Sequence, residues 1–442
     1  MSSCKSAWLL ASCFTVLVGC RTTQSVGIVY QDDAHPPHAW RELSSEDQAK
    51  FDLGYAVFNT EWAPANTPAG RTDGLGPLFN AQSCDACHNS RRRGRGPRSD
   101  GEAPADLVMQ LGKRLPDGSV QRGIDEYGYV LNTTAISGYE REASVSIRYE
   151  EQASTLADGT QVSVHIPSYE ITRLSGPVLA GDTVLMPRIP PSVQGAGLLE
   201  LVPQSALVAI AESERRGDRA LAGRVSTLES NDGAVIGRFG WQATEPTVAA
   251  QTASALSREM GLTSPLVSSI DCGRTDAACL SAPAGGSPEV EPSLFDAVVY
   301  FESLHAVPAR ESAGRPSAGG RLFTRLGCDG CHRSTLPVDT GARTSQVIHP
   351  YTDLLLHDMG TDLADRDLEG NAVLNEWRTA PLWGLQAAVA SRQPLRLLHD
   401  GRARSIQEAI LWHGGQASKA RERFIRLPES ERRTLESWIA EL

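Results

Sequence analysis

Two pentapeptides of the form Cys-x-x-Cys-His constrain this chain more than any other feature: Cys84-Asp85-Ala86-Cys87-His88 and Cys328-Asp329-Gly330-Cys331-His332. This is the covalent attachment signature of c-type haem. The two thiols add to the porphyrin vinyl groups as thioethers, and the adjacent histidine is placed to ligate iron from the proximal face. A zinc site built from two Cys-x-x-Cys pairs and a thioredoxin-like redox pair are the alternatives. Neither needs a histidine after both pairs. The expectation is two covalently bound haems, attached at Cys84, Cys87 and Cys328, Cys331, with His88 and His332 on the irons.

Haem attachment of this kind takes place outside the cytoplasm, and the N-terminus reads as an export signal. Lys5 precedes an apolar stretch from Ala7 to Val18, broken only by Ser12 and Thr15. It is too short to span a bilayer as a helix, so it reads as a signal-peptide core. Its end, Leu17-Val18-Gly19-Cys20, resembles the bacterial lipoprotein box, in which cleavage leaves the cysteine as the acylated first residue. The plain alternative is an ordinary signal with an incidental cysteine. Acyl chains on Cys20 would give stable anchoring. Arg21, where an Asp would retain the chain at the inner membrane, favours the outer membrane by the same resemblance. The reading is a signal peptide over 1–19 and a polar, Pro-containing tether over 20–44, on the periplasmic side of a bacterial membrane.

The remaining cysteines close the account. The chain has nine. Cys4 and Cys13 lie in the leader, Cys20 is lipidated and four bind haem. Cys272 and Cys279 remain, in the short polar loop Asp271-Cys272-Gly273-Arg274-Thr275-Asp276-Ala277-Ala278-Cys279. In an exported chain a disulfide is the natural reading, with free thiols the alternative. At 442 residues, 40% apolar and 21% charged, the chain has room for two or three domains and is neither disordered nor a polytopic membrane protein. A net charge of −11 argues against a nucleic-acid partner, since Arg91-Arg92-Arg93 is short and lies in a Gly-rich loop.

Organisation follows the two motifs. Leu78-Phe79 precedes Cys84 and Leu322-Phe323 precedes Cys328 at the same spacing, each after a glycine pair (Gly74, Gly76; Gly319, Gly320). This looks like the start of two related cytochrome c-like domains, each with a short helix running into the haem-binding turn. Between 105 and 175 the pattern alternates, as in Val162-Ser163-Val164-His165-Ile166, and Asp117-Gly118 and Asp158-Gly159 are hairpin signals. The expected fold is therefore mainly α: a first haem domain over 45–280 with a β-rich insertion at about 105–175, a linker over 281–290 and a second haem domain over 291–442. Its last helix begins at Pro428 and puts Leu435, Trp438, Ile439 and Leu442 on one face.

Several stretches carry a family resemblance: Gly76-Pro77-Leu78-Phe79-Asn80, Gly237-Arg238-Phe239-Gly240-Trp241, the run Tyr351 to Gly360, Glu376-Trp377-Arg378-Thr379 and Leu398-His399-Asp400-Gly401-Arg402-Ala403. Over about residues 45–442 the chain resembles the bacterial di-haem oxidoreductases, which are distantly similar to di-haem cytochrome c peroxidases. In those peroxidases a His-x-Gly segment is followed, fourteen residues after its histidine, by the distal ligand of the second haem. Here His399-x-Gly401 places His413 at that position, on a helix opened by the capping box Ser405 to Glu408. The resemblance thus implies His332/His413 ligation; the alternative is a cation at a helix C-terminus, with His357 and Met359 as competing ligands. The removable distal histidine of the first haem falls on Pro104, which cannot ligate, and the next histidine after His88 is His165. An open or weakly ligated first haem follows, with Met109 and Met186 as ligands or, more simply, as core. Trp241, Gln251 and Glu259-Met260 keep the order of the peroxidases' inter-haem Trp, distal Gln and acid–base Glu, although the second spacing is two residues shorter. The resemblance makes Glu259 the acid–base, Gln251 its companion and Trp241 the bridge for electrons; the plain readings are a solvated carboxylate and a core indole.

What these features imply together is a lipid-anchored di-haem enzyme. It reduces hydrogen peroxide or a related oxidant at the first haem, with electrons from a periplasmic donor such as a small cytochrome or cupredoxin passing through the second. The alternatives are a di-haem electron carrier without catalysis, and peroxide-dependent oxidation of a protein or organic partner. Nothing in the sequence speaks for or against calcium between the domains.

Overall fold

Two glycines allow pairs of helices to cross at backbone contact. Gly54, on the helix Ser45–Asn59, faces the helix Pro292–Leu304, where a Cβ would land 1.9 Å from the carbonyl oxygen of Ala297. Gly319, on the helix Ala318–Leu326, faces the helix Glu429–Ala440, where a Cβ would fall 2.2 Å from that of Trp438. Each crossing is surrounded by aromatic rings, and each holds a phenylalanine against a motif histidine. Phe58 packs 5.5 Å from Phe301 and 5.9 Å from His88; Phe323 packs 5.1 Å from Trp438 and 6.3 Å from His332. Helix start signals are local: Ser44 accepts from the Asp47 amide, and Ser317 from that of Gly320.

This computed structural model describes residues 37–442 apart from 69, 89–92, 95, 98, 105, 231–232, 309–316, 342–345 and 392–393. The apolar leader, Cys20 and most of the tether lie outside the described residues. Among the described residues no helix is long and apolar enough to cross a membrane.

The expectation of a mainly α fold is wrong. The protein is 31% helical and 23% strand. A curled antiparallel sheet runs in the order Ala372–Leu374, Asp365–Asp367, Thr183–Arg188, Val108–Arg114, Val120–Arg122, with Val130–Leu131 also on Val108–Arg114. Its register sets Leu185 opposite Leu111 and Val184 opposite Asp367. A long hairpin, Ser144–Thr155 with Gln161–Thr172, turns at Asp158-Gly159. It lies on the last part of the chain: His165 bonds Glu408 through its amide (2.7 Å) and ring (2.8 Å), and Asp158 pairs with the buried Arg432 at 2.8 Å.

The strands that escape sequence reading are two or three residues long, such as Leu336–Val338 with Gln346–Ile348 and Leu356–Asp358 with Glu376–Arg378. So short a segment carries no alternation to read; its partner, not its own pattern, makes it a strand. Leu78-Phe79 shows the same effect. Its counterpart Leu322-Phe323 is helical, but Leu78–Phe79 is extended and pairs with Thr134–Ala135. Pro77 precedes it, and the amides of Gly76 and Asn80 are taken by the carbonyls of Met260 and Glu259, so no helical ladder can form.

A methyl group at the first crossing meets the Ala297 carbonyl and the Phe301 Cβ. Gly54→Ala is expected to destabilise the protein by about 1–3 kcal/mol through overpacking, measured by denaturant unfolding; Gly217→Ala, at the end of the helix Gln204–Gly217 where a Cβ meets nothing within 4 Å, isolates the crossing from a general effect of replacing a helical glycine.

Candidate active site

One cavity of about 550 Å³ is walled by both Cys-x-x-Cys-His turns. The first turn forms the short helix Cys84–His88, and the second follows Gly327, whose φ of 87° ends the Ala318–Leu326 helix directly before Cys328. None of the four motif cysteines is paired in a disulfide, whereas Cys272 and Cys279 are bonded to each other. Burial pushes the thiols of Cys84, Cys328 and Cys331 up, Cys328 to about 12, so they are not thiolate nucleophiles. The four sulfurs do not form a zinc cluster. Among the described residues the one metal-ligand-like group is Cys331, Asp353 and His357.

The two motif histidines are held in the same way. His88 donates from Nδ1 to the carbonyl of Pro191, and His332 to that of Tyr351, each at 3.0 Å. Burial pushes both rings down to about 4, so they are neutral at ordinary pH. With Nδ1 carrying the proton, Nε2 keeps its lone pair, the state a metal ligand needs.

What faces each ring differs. His413 lies across from His332 with ring centroids 6.5 Å apart, and its Nδ1 donates to the carbonyl of Ala409 at 2.7 Å. Burial lowers its pKa as well. Two metal–nitrogen bonds of roughly 2 Å each, with the half-width of each ring, account for that gap. The competing ligand His357 is committed elsewhere. Its Nε2 bonds Asp353 at 2.8 Å, and its Nδ1 bonds Gln416 at 3.2 Å beside the Cys331 sulfur at 3.5 Å. Met359 lines the cavity; Met109 and Met186 are buried in the core and do not.

At the first turn the helix Val248–Met260 lays one face on the cavity, with Gln251, Thr252, Ala255 and Glu259 all lining it. The buried Oε2 of Glu259 has no hydrogen-bond partner, and burial pushes its carboxyl up to about 8. It holds its proton at neutral pH. Trp241, also on the wall, donates from Nε1 to the carbonyl of Ile189 at 2.8 Å and packs in one cluster with Trp377 and Trp412. His399 stacks on Trp377 at 3.8 Å.

Three cavity groups went unread in the sequence. Arg378 bonds only the carbonyls of Gly240 and Thr379, and burial followed by the like charge of Arg93 holds it down at about 10. Arg93 is lowered to about 10 by burial and lies over the Trp241 ring. The third, Glu302, is a buried carboxyl in an otherwise apolar helix face (Phe295, Val298, Phe301). That lone acid among apolar residues was the signal available; the two arginines gave none, because their burial is set by distant partners.

The wall thus offers two neutral imidazole nitrogens, four cysteines in no disulfide beside them, and two guanidiniums that form no ion pair among the described residues. A haem pair, with thioether-forming edges, an iron that takes imidazole and anionic propionates, fits all three. A family model described as "Di-haem oxidoreductase, putative peroxidase" matches residues 134–442. The chain belongs to this family. No curated protein matches it. Among solved structures, a xenon-pressurised hydrazine synthase of Kuenenia stuttgartiensis aligns over 99% of this chain and 100% of that one, at 12% identity and a TM-score of 0.32, a likeness too remote to inform this site.

The raised carboxyl of Glu259 has a consequence for the stability of this di-haem oxidoreductase. Its folded pKa lies above the unfolded one, so ionisation of the unfolded chain costs stability as pH rises from about 4 to 8, and the cost is constant above that. Glu259→Gln is expected to be more stable than the parent at pH 8 by on the order of 2 kcal/mol, with the difference gone below the unfolded pKa, measured by urea unfolding across pH.

Proposed function

We propose that this di-haem oxidoreductase reduces hydrogen peroxide to water at the first haem, with electrons entering through the second. The observation that carries the reading is the asymmetry of the cavity. His332 faces a second imidazole, whereas the wall at the first turn is the helix face of Gln251, Thr252 and Glu259, whose buried Oε2 has no hydrogen-bond partner. A metal held between two imidazoles passes electrons; one with an open face binds an oxidant.

Cys84 and Cys87 would hold the first haem covalently and Cys328 and Cys331 the second, with His88 offering a nitrogen to the first iron and His332 and His413 to the second. When bound, the haems supply redox chemistry and a site for peroxide. The chain supplies the rest. Reduction of one peroxide to two waters takes two electrons and two protons. Glu259, protonated and buried at the first pocket, gives its own proton to the outer peroxide oxygen as the O–O bond breaks, and regains one from solvent. Gln251, two turns before it on the same helix face, orients the bound oxidant. Trp241, on the cavity wall with its indole fixed through Ile189, is the route for electrons. Arg93 and Arg378 take the propionates.

The electrons come from a one-electron carrier, a small cytochrome or cupredoxin, outside the cytoplasm. Leu17-Val18-Gly19-Cys20 supports export and acylation at Cys20, which holds the enzyme on the periplasmic face of a membrane. Loss of acyl mass from the purified chain on Cys20→Ser tests that placement.

Three measurements test the function. The purified protein carries two haems that survive acid–acetone extraction, and Cys84→Ala with Cys87→Ala leaves one. The ferric electron paramagnetic resonance spectrum shows one high-spin and one low-spin haem, and His413→Met keeps the second haem low-spin while raising its potential. Glu259→Gln slows the spectral change on adding peroxide by about 10²–10⁴-fold. Two low-spin haems and no reaction with peroxide in the parent would make the protein an electron carrier instead.

A further inference from the structure

A second acid borders the first pocket, and its hydrogen bonds fix its protonation state. Glu302, on the helix Pro292–Leu304, is 9% exposed and lines the cavity. Its Oε2 meets the hydroxyl of Thr252, a buried residue on the helix Val248–Met260. The same hydroxyl lies 2.9 Å from the carbonyl of Val248. A hydroxyl has one proton to donate, and the carbonyl can only accept. Both contacts are hydrogen bonds when Glu302 is a carboxylic acid that donates to Thr252, which in turn donates to Val248. A carboxylate at that position would compete with the carbonyl for one proton, with no cation among the described residues to stabilise it. Burial also favours the neutral acid, pushing the Glu302 carboxyl up to about 7.

The position is as informative as the state. Thr252 and Glu259 are seven residues apart, two turns of one helix, so they share a face and stand about 10 Å apart along the axis. That face is the one that borders the cavity. Two buried acids therefore flank the pocket of the first haem, one with an unpartnered Oε2 and one tied through a hydroxyl.

We propose that Glu302, with Thr252 as its relay, is a second proton-holding group of the first pocket. It stores one of the two protons that reduction of peroxide consumes, and Glu259 stores the other. The inference rests on the peroxide-reducing reading above. The balance is closed: hydrogen peroxide takes two electrons from the one-electron carrier and one proton from each acid, two waters leave, and the two carboxylates recover their protons from solvent. For the transfer the Thr252 hydroxyl turns from the Val248 carbonyl to the face shared with Glu259, gives its own proton there and takes that of Glu302 in its place, so Glu302 acts through Thr252.

The test uses the haem-loaded protein and the variants Glu302→Gln, Glu302→Asp and Thr252→Val. In infrared difference spectra between the resting and the peroxide-reacted protein, the parent should show the loss of a protonated carboxyl band that is absent in Glu302→Gln and shifted in Thr252→Val. In steady turnover, Glu302→Gln should lower kcat on the order of 10²-fold with KM for peroxide held within about twofold, while Glu302→Asp recovers most of the rate. The solvent deuterium isotope effect on kcat should rise in Glu302→Gln, a readout that loosened packing would not move. The proposal is overturned if the parent loses no such band, if the band is still lost in Glu302→Gln, or if that variant turns over at the parental rate while Glu259→Gln is slow. A parent that consumes no peroxide removes the proposed function, and this role falls with it.

Discussion

Two hydrogen bonds hold the arrangement together: the Nδ1 protons of His88 and His332 on the carbonyls of Pro191 and Tyr351. Each fixes a tautomer, and with it which nitrogen looks into the cavity. Neither carbonyl is there by chance. Pro191 follows the strand Thr183–Arg188, so the sheet places it. Tyr351 has a φ of 55°, a region a bulky side chain rarely visits. Its ring is wedged edge-on between Phe323 at 6.1 Å and Trp438 at 5.7 Å, the same residues that build the second helix crossing. The aromatic core thus holds a strained backbone whose carbonyl aims an iron ligand.

From that shared device the two pockets diverge by what their opposite walls present. Opposite His332 the helix Ile406–Leu411 ends and delivers a second imidazole, its own Nδ1 tied back to Ala409. At the first turn, a helix face presents Gln251, Thr252 and Glu259, and buried acids rather than bases are its titratable groups. Burial acts in opposite senses on the two sets. It keeps the imidazoles neutral and therefore able to bind metal, and it keeps the carboxyls neutral and therefore able to give up a proton. One physical effect thus gives the cavity an end of neutral imidazoles and an end of neutral acids.

How much of this could be read in advance depended on distance along the chain. The Cys-x-x-Cys-His turns are local and were legible, as was the family, because its motifs are contiguous. His413 was reachable through its spacing from His399. The carbonyl partner of His88 is 103 residues away and that of His332 is 19 away, and no pattern announces either. The balance of helix and strand was misjudged because strands such as Asp365–Asp367 take their conformation from a neighbour far back in the sequence. Glu302 lay open to inspection as an acid among Phe295, Val298 and Phe301; what could not be read was the single hydroxyl across from it, on another helix.

The sheet that carries Pro191 also sets a timetable. Asp365–Asp367 joins it at Thr183–Arg188, and Trp377 and Arg378, a few residues further on, wall the cavity that His88 borders. A chain made from its N-terminus presents Cys84 and Cys87 long before those later residues arrive. During that interval the first Cys-x-x-Cys-His turn lacks this part of its wall and is an open edge. Closure waits for the last fifth of the polypeptide, so the interleaved strand order sets when the first pocket can be completed.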